Sequence, residues 1–508
     1  MSELSDKLLN AILMARQSVY AVSKATPTEE LVGTGLPFRL FVKREDLGPI
    51  KAYKWRGAYN RMVHLDPEER SRGVVTASAG NHAQGVALAA KRLGIHAKIF
   101  MPLSTPLVKQ EAVKRFGGDF VEIVLFGDSY SEAGDEAKKY SHDKGLTFVH
   151  PYDDLLVMGG QGTLADEAVM SGEGPFDVAY LQIGGGGMAA ATAVWLKNQF
   201  PGIKVYGVEG VRQASMKAAL ERGEPYDIGP VDIFCDGTAV RKAGSLTFEL
   251  CKEFLDEIVT VTNEEVCTAI QKLWESNRII PETSGAMGVA AALKEAGKLA
   301  GKKVFTVISG ANADFGKLRV ITRSAHISGH KNYALRIDLP ERPGSLLAIL
   351  QQCFKGVSIT EFQYGKTSSQ IASPVIGVSL DDATFEKLKS SLDAAGVRWT
   401  DATRDPDVVF RVIPFEKDLL RFPTFLQVNF RERANGLREF MTACLGERDN
   451  LCYFNYFYTG ETVGRALIGI ESDSPELRED LHRRLTGTLK GVQTYTVLSG
   501  DVAKRLGC

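Results

Sequence analysis

Residues 179–200, AYLQIGGGGMAAATAVWLKNQF, decide the architecture of the larger part of the chain. Ala179–Ile183 has strand character, Gly184–Gly187 is a turn without a single Cβ, and Ala189–Phe200 has helical length and spacing. Strand, glycine turn and helix make the unit from which parallel α/β sheets are built. Successive N–H groups stripped of side chains can also wrap a phosphate. A flexible surface loop is the weaker reading, because a glycine run costs conformational entropy and this one sits at a strand end. The turn alone leaves the phosphate's owner open. Gly184, Gly186 and Ala189 fit G-x-G-x-x-A, and Glu209 ends the next strand about 20 residues on, as in a nicotinamide-dinucleotide fold.

Outward from this stretch the same alternation runs from residue 40 to about 325. Leu40–Val42, Gly73–Thr76, Ala97–Met101, Val205–Val208 and Val304–Ile308 read as strands, and Gly85–Leu93 as one of the intervening helices. The pattern predicts an α/β fold with a parallel sheet covered on both faces and ligands held by the loops that follow its strands. The N-terminal residues predict an amphipathic helix with Leu8, Leu9, Ile12 and Leu13 on one side.

Beyond residue 325 the texture changes. LRIDLPERPGSL (335–346) overlays LQVNFRERANGL (426–437) at a shift of about 91 to 92 positions. At nearly the same shift Phe362 and Tyr364 match Phe454 and Tyr456, and Ile376–Val378 matches Ile468–Ile470. Each copy reads βαββαβ, a ferredoxin-like plan, so two sister domains are expected. Polar residues near Ser324–Lys331 suit a linker, and a second boundary falls near Arg404–Pro406.

Composition narrows the partners. Net charge is −1, with 44% hydrophobic and 24% charged residues, which gives no basic field for nucleic acid or an anionic membrane. No run approaches the ~18 apolar residues of a membrane span, and the N-terminus is no secretory signal, so a cytoplasmic protein is expected. Seven scattered cysteines without a CxxC pair predict reduced thiols and no metal site.

Three further segments carry candidate chemistry. Lys54 lies in KAYKWRGAY (51–59), where burial by Tyr53 and Trp55 or the cations Lys51 and Arg56 would lower an amine pKa and make it nucleophilic. Alone, that segment reads as well as a solvated basic helix face. Ser78-Ala79-Gly80-Asn81-His82 follows a strand and opens a helix, an anion site for a substrate carboxylate or simply a helix cap. Ser309-Gly310-Ala311-Asn312 follows the strand Val304–Ile308, where a hydroxyl could meet a ring nitrogen, although by itself it is one more turn. A dinucleotide leaves Lys54 and both of these loops idle. An aldehyde cofactor with one phosphate and a pyridine ring uses all four segments.

Taken in order, KREDLGPIKAYKWRGAY (43–59), TASAGNHAQGVA (76–87), GQGTLADE (160–167), GGGGMAA (184–190) and ISGAN (308–312) resemble the biosynthetic threonine dehydratase (threonine ammonia-lyase) family. These are pyridoxal-phosphate enzymes of fold type II, the tryptophan-synthase-β-like fold, and the C-terminal repeat resembles their paired ACT-like regulatory domains. The resemblance implies a catalytic domain of two α/β subdomains over 1–325 and regulatory domains over 331–405 and 421–500. It also implies deamination of L-threonine to 2-oxobutanoate and ammonia, with some action on L-serine, and inhibition by isoleucine or valine in a homotetramer.

The same resemblance assigns roles. Lys54 joins the pyridoxal 5'-phosphate and later moves the Cα proton, while Asn81 contacts the ring hydroxyl. Gly184, Gly185, Gly186, Gly187 and Met188 hold the phosphate, and Ser309 faces the ring nitrogen. Ser78, Ala79, Gly80, Asn81 and His82 grip the substrate carboxylate. A neutral serine partner leaves the ring less protonated than an acid would, which favours loss of the β-hydroxyl. Three departures stand out: Ala52 where serine is common, Glu282-Thr283-Ser284-Gly285 for Glu-Pro-Ser-Gly, and Ala434, Asn435 and Gly436 in the second regulatory turn. A serine dehydratase or racemase of the same fold, and a sensor with a vestigial catalytic half, are the alternatives. Phe362, Tyr364, Phe454 and Tyr456 are expected either in the regulatory core or around an effector pocket.

Overall fold

The computed structural model describes residues 2–103, 105–127, 130–313, 317–325, 331–409, 411–431, 441–442, 445–446, 448–457, 463–485 and 492–499. The chain divides into two compact units, Met1–Ala325 and His326–Cys508.

The first unit holds two sheets, one more than the alternation alone predicts. Strands β1 (Thr28–Glu30), β2 (Arg39–Arg44), β7 (Val178–Gln182), β8 (Lys204–Gly210), β9 (Glu257–Val261) and β10 (Lys303–Ile308) form a six-stranded sheet in the order β1-β2-β10-β7-β8-β9. Its pairs are parallel except the antiparallel edge strand β1. Strands β3 (Val74–Ala77), β4 (Ala97–Met101), β5 (Val121–Leu125) and β6 (Thr147–Phe148) form a parallel four-stranded sheet in the order β5-β4-β3-β6. Alternation along the central strands sends side chains to two separate cores. Ala179 and Leu181 join Phe305 and Val307 on one face, while Val178 and Tyr180 join Val304 and Ile308 on the other. Burial on both faces is why these strands read as continuous apolar runs.

The N-terminal helix runs Glu3–Val22, with Leu8, Ile12, Ala15 and Val19 buried. Leu13, placed on that face from the sequence, is instead exposed and Leu9 half-buried. The buried face follows i, i+4, i+7 and i+11 from Leu8, and Leu13 falls outside that stripe.

In the second unit the first copy comprises β11 (Lys331–Pro340), β12 (Ile359–Gly365), β13 (Ile371–Ala372), β14 (Val375–Leu380) and β15 (Arg398–Asp401), with helices Ser345–Gln352 and Asp382–Ala394. The second comprises β16 (Thr424–Arg431), β17 (Asp449–Phe457), β18 (Val463–Ser472) and β19 (Val492–Val497), with the helix Pro475–Leu485. The turn holding Ala434, Asn435 and Gly436, and residues 326–330 of the expected linker, lie outside the described residues. The two copies share one antiparallel sheet, joined where β12 pairs with β17. There Phe362 faces Tyr456 and Tyr364 faces Phe454, the cross-pairing of equivalent residues that a local two-fold relation requires. Phe362 and Phe454 also meet edge to face, with ring centroids 4.8 Å apart. Among the described residues no helix is long and apolar enough to cross a membrane, and the five described thiols, Cys235, Cys251, Cys267, Cys353 and Cys452, are free and buried.

Candidate active site

Lys54 stands at the head of the helix Trp55–Val63, reached through Lys51, whose φ of 58° turns the chain sharply. Its Nζ donates to the Pro151 carbonyl at 2.8 Å, and no carboxylate pairs with it among the described residues. Burial lowers the amine to about 8, with the more distant Glu282 opposing the shift. The cause is thus desolvation and not the neighbouring cations considered above. Lys51 is exposed, and Arg56 is neutralised by Glu45 (2.8 Å) and Glu167 (2.6 Å).

The base beneath Lys54 is a fully enclosed cluster of two cations and two anions. Lys43 reaches Glu167 at 2.6 Å and Glu45 at 3.4 Å, while Arg56 bridges both acids. Thr26 and Thr163 complete it, donating to Glu45 at 2.6 Å and accepting from Arg56 at 3.0 Å respectively. Close helix contact makes the cluster reachable: a Cβ on Gly160 would lie 2.5 Å from the Arg56 carbonyl and 2.7 Å from the Gly57 Cα. GQGTLADE is therefore a packing motif that locks the Lys54 helix.

One segment ties the lysine to the glycine turn. Pro151 holds Lys54, and the next residue, Tyr152, lies flat against Gly185 and Gly187, where added Cβ atoms would collide with its ring and carbonyl. Gly186 has φ +97°, strained for any other residue. Thr247 Oγ1 donates to the Gly185 carbonyl at 2.6 Å, and Asp153 accepts N–H bonds from Ser245, Leu246 and Thr247. The turn is held from outside by packing, and the helix Gly187–Gln199 begins at its end. Its leading N–H groups have no intrahelical partners, as a phosphate cup requires.

The other two loops converge on the lysine. Tyr53 N–H donates to the Ser309 carbonyl at 3.0 Å, and Ala52 bridges Gly310 across an isolated β-pair. The Ala52 methyl is fully buried against this loop. Gly85 of the helix Asn81–Leu93 abuts Trp55 and Lys54, its Cβ position 3.0–3.1 Å from their backbone. Ser78 Oγ accepts from Gly80 N–H at 3.2 Å, and beside Gly80 there is open space for a ligand. His82 turns inward: its Nε2–H donates to Val149 O at 3.0 Å, and burial first, then nearby Lys54, lowers it to about 3. A neutral, inward imidazole leaves only the His82 backbone to meet a carboxylate.

Reading from sequence passed over Glu282 as a residue with a role. Its carboxylate accepts from Asn81 Nδ2 at 2.8 and 3.1 Å, and burial pushes it up to about 7. A lone acid within PETSGA (281–286), between apolar runs, was the available signal. Thr283, where proline is common, donates Oγ1 to Phe234 O at 2.9 Å. Glu209 has a different task from a dinucleotide's ribose partner. Both its oxygens accept N–H bonds, from Met216 at 2.9 Å and Lys217 at 2.8 Å, capping the helix Ser215–Arg222.

A half-buried amine lowered to about 8, a side-chain-free turn opening a helix, a buried hydroxyl and an open amide-lined loop form one donor set. That set fits a phosphate-bearing aldehyde with an aromatic ring, and the class it defines is the pyridoxal-phosphate-dependent enzymes of fold type II. Residues 22–310 match the family model described as "Pyridoxal-phosphate dependent enzyme". Residues 323–412 and 423–503 match "C-terminal regulatory domain of Threonine dehydratase". A biosynthetic L-threonine dehydratase of Haemophilus influenzae is 36% identical over 93% of this chain and 92% of its own. The processed form of threonine deaminase isoform 2 from Solanum lycopersicum superposes with a TM-score of 0.60 at 39% identity, covering 63% of this chain and 88% of that one. Maize serine racemase does so with 0.57 at 29% identity, covering 62% and 96%. The chain belongs to the biosynthetic threonine dehydratase family.

The regulatory unit carries a small, open pocket where the first copy's turn meets the start of β17. Leu339, Leu346 and Leu451 supply its apolar wall and Glu341 and Arg342 its charges. Tyr364 lines it and donates to Glu341, whereas Phe362, Phe454 and Tyr456 lie in the core.

Proposed function

We propose that this chain converts L-threonine to 2-oxobutanoate and ammonia, with Lys54 as the residue that carries the cofactor and moves the Cα proton. The observation that carries this reading is the buried Lys54 amine, lowered to about 8 and placed among the glycine turn, the Ser78–His82 loop and Ser309. Bound pyridoxal phosphate supplies the electron sink for charge developing at the substrate Cα. The chain supplies the rest. Backbone N–H groups of Gly184 to Met188 hold the phosphate, Asn81 meets the ring hydroxyl, and Ser309 faces the ring nitrogen. Ser78, Ala79, Gly80, Asn81 and His82 hold the substrate carboxylate, with His82 contributing through its backbone.

Lys54 takes the Cα proton when its amine is free, and the β-hydroxyl leaves as water. Uptake of one water then releases ammonia, so the overall change is deamination. L-Serine, one methyl smaller, is turned over more slowly, since a methyl is worth only about 1–3 kcal/mol of discrimination.

The regulatory domains, 331–405 and 421–500, take a branched-chain amino acid, isoleucine or valine, in the pocket above. Glu341 suits the ammonium group, Arg342 the carboxylate and the three leucines the side chain. The same reading places the enzyme in the cytoplasm as a homotetramer. The test is 2-oxobutanoate release from L-threonine with and without isoleucine, then borohydride reduction and peptide mapping. A pyridoxyl adduct on Lys54 is expected; its absence overturns the assignment.

A further inference from the structure

We propose that Glu282 is a positioning residue that fixes the side-chain amide of Asn81 and thereby sets how tightly the cofactor is held, as a function of pH. The inference rests on the reading of Asn81 as the contact to the cofactor's ring hydroxyl.

The argument begins at Asn312. Its Nδ2 donates to the Ile50 carbonyl at 2.8 Å and to Asn81 Oδ1 at 2.8 Å. A backbone carbonyl only accepts, so this end of Asn312 is the amine and the facing end of Asn81 is the carbonyl. Asn81 Nδ2 is thereby turned to Glu282, where both carboxylate oxygens accept. One amide hydrogen shared between the two oxygens makes that contact, and the other remains for the ring oxygen. Flipping Asn81 would set carbonyl against carboxylate at one end and NH2 against NH2 at the other. An ionised Glu282 and Asn312 therefore admit only one orientation.

Glu282 is itself held in place. Its N–H donates to Gly310 O at 2.9 Å, beside Ser309, and a Cβ on Gly310 would come within 2.8 Å of its Oε1. The acid is buried, and no lysine or arginine pairs with it among the described residues. The groups that face it are Asn81 and the Asn312 N–H, with Lys54, Tyr53, Lys109 and Asp236 acting at longer range. Burial first, and Asp236 next among the raising influences, lift it to about 7, against Asn81, Lys109 and the Asn312 N–H. Proton uptake near neutrality turns an acceptor-only group into one that can donate to Asn81 Oδ1. The carboxylate's share of the restraint is then lost, and Asn312 alone holds the Asn81 amide.

The experiment measures the pyridoxal phosphate dissociation constant of the full chain between pH 5.5 and 9, by titrating the resolved protein and following visible absorbance. Wild type, Glu282→Gln and Glu282→Asp are compared, alongside kcat/KM profiles of the holoenzymes. Wild type should loosen its cofactor on acidification with a midpoint near 7. Glu282→Gln should bind about tenfold more weakly at pH 8, the worth of one charge-assisted hydrogen bond, and lose that midpoint. Glu282→Asp, which keeps the charge, should retain a midpoint. Equal affinity and an identical profile for wild type and Glu282→Gln would overturn the proposal. So would a wild-type profile flat between pH 6 and 8, which needs no variant to fold. If wild type takes up no pyridoxal phosphate at any pH, it is the functional reading that fails.

Discussion

Replacing Glu167 by glutamine removes one charge from the enclosed cluster beneath Lys54 without changing its volume. In the native chain Glu167 Oε2 accepts from Lys43 Nζ at 2.6 Å, Arg56 Nη2 at 2.9 Å and Thr26 N–H at 3.1 Å, and its Oε1 accepts from Arg56 Nη1 at 2.6 Å. Glutamine can keep one of these oxygens. Its NH2 would replace the other and face donors, while Lys43 and Arg56 share Glu45 alone. Breaking one partner out of a buried ion group costs about 3–5 kcal/mol, most of it the uncompensated charge left behind. An unfolding entropy of roughly 2.1 cal/mol/K per residue over Met1–Ala325 gives about 0.7 kcal/mol/K. The melting temperature of the catalytic unit should therefore fall by about 4–7 °C, followed by calorimetry at one fixed scan rate. Glu3→Gln breaks an exposed, solvent-screened pair with Lys7 and serves as the control, with the melting temperature expected to stay unchanged. Because Arg56 lies two positions beyond Lys54, Glu167→Gln should also weaken retention of pyridoxal phosphate. A melting temperature within 1 °C of wild type, with cofactor affinity unchanged, refutes the claim that this cluster anchors the lysine.

Lys54→Ala should leave a folded, colourless protein that releases no 2-oxobutanoate; retained activity in a coupled assay would remove the residue from its role. Only a neutral amine attacks an aldehyde, so the rate at which the resolved protein takes up pyridoxal phosphate should rise with pH through about 8, well below an ordinary lysine. Stopped-flow absorbance reads this directly, and an inflection near 10.5 would contradict the burial argument. Gly185→Ala places a methyl inside the Tyr152 ring, and overpacking of this kind costs about 1–3 kcal/mol; cofactor affinity measured by equilibrium dialysis should fall about tenfold or more. Arg342→Ala should raise the isoleucine concentration needed for half-inhibition about tenfold while leaving kcat/KM without effector unchanged, as judged from inhibition curves.

The six central strands and the glycine turn were legible because a parallel strand buried on both faces leaves an apolar run, and the run's end fixes the turn. Ala97–Met101 even has the same bounds in sequence and structure. Splitting those strands into two sheets was not legible in the alternation itself and was expected only from the resemblance, since both sheets carry the same local signal and only long-range pairing separates them. The repeat announced two sister domains, yet nothing in it said that Phe362 and Tyr364 would pair with Tyr456 and Phe454 to fuse their sheets. At the site, Lys54, Asn81, Gly184 to Met188 and Ser309 stand in motifs that are ambiguous one by one and point to a single chemistry only as a set. Glu282 and Pro151 did not, because one acts through an amide and the other through a backbone carbonyl, and neither contact is local in sequence. His82 illustrates the converse. Its place in the loop was readable, but its side-chain direction is set by the Val149 carbonyl across the fold.

The motif blocks of this chain divide their labour by depth. Gly57, Gly160, Glu45, Arg56 and Glu167 touch no open space beside Gly80, yet they determine where the Lys54 helix begins and how rigidly it sits. Tyr152 and Asp153 do the same for the phosphate turn from its outer side. Lys54 and the turn are joined through the single peptide between Pro151 and Tyr152, so a displacement of either is transmitted to the other within one residue. In the proposed role, a lysine amine that alternates between holding the cofactor and moving a proton needs a small range of motion about a fixed origin. Two rigid supports meeting at one peptide provide that origin.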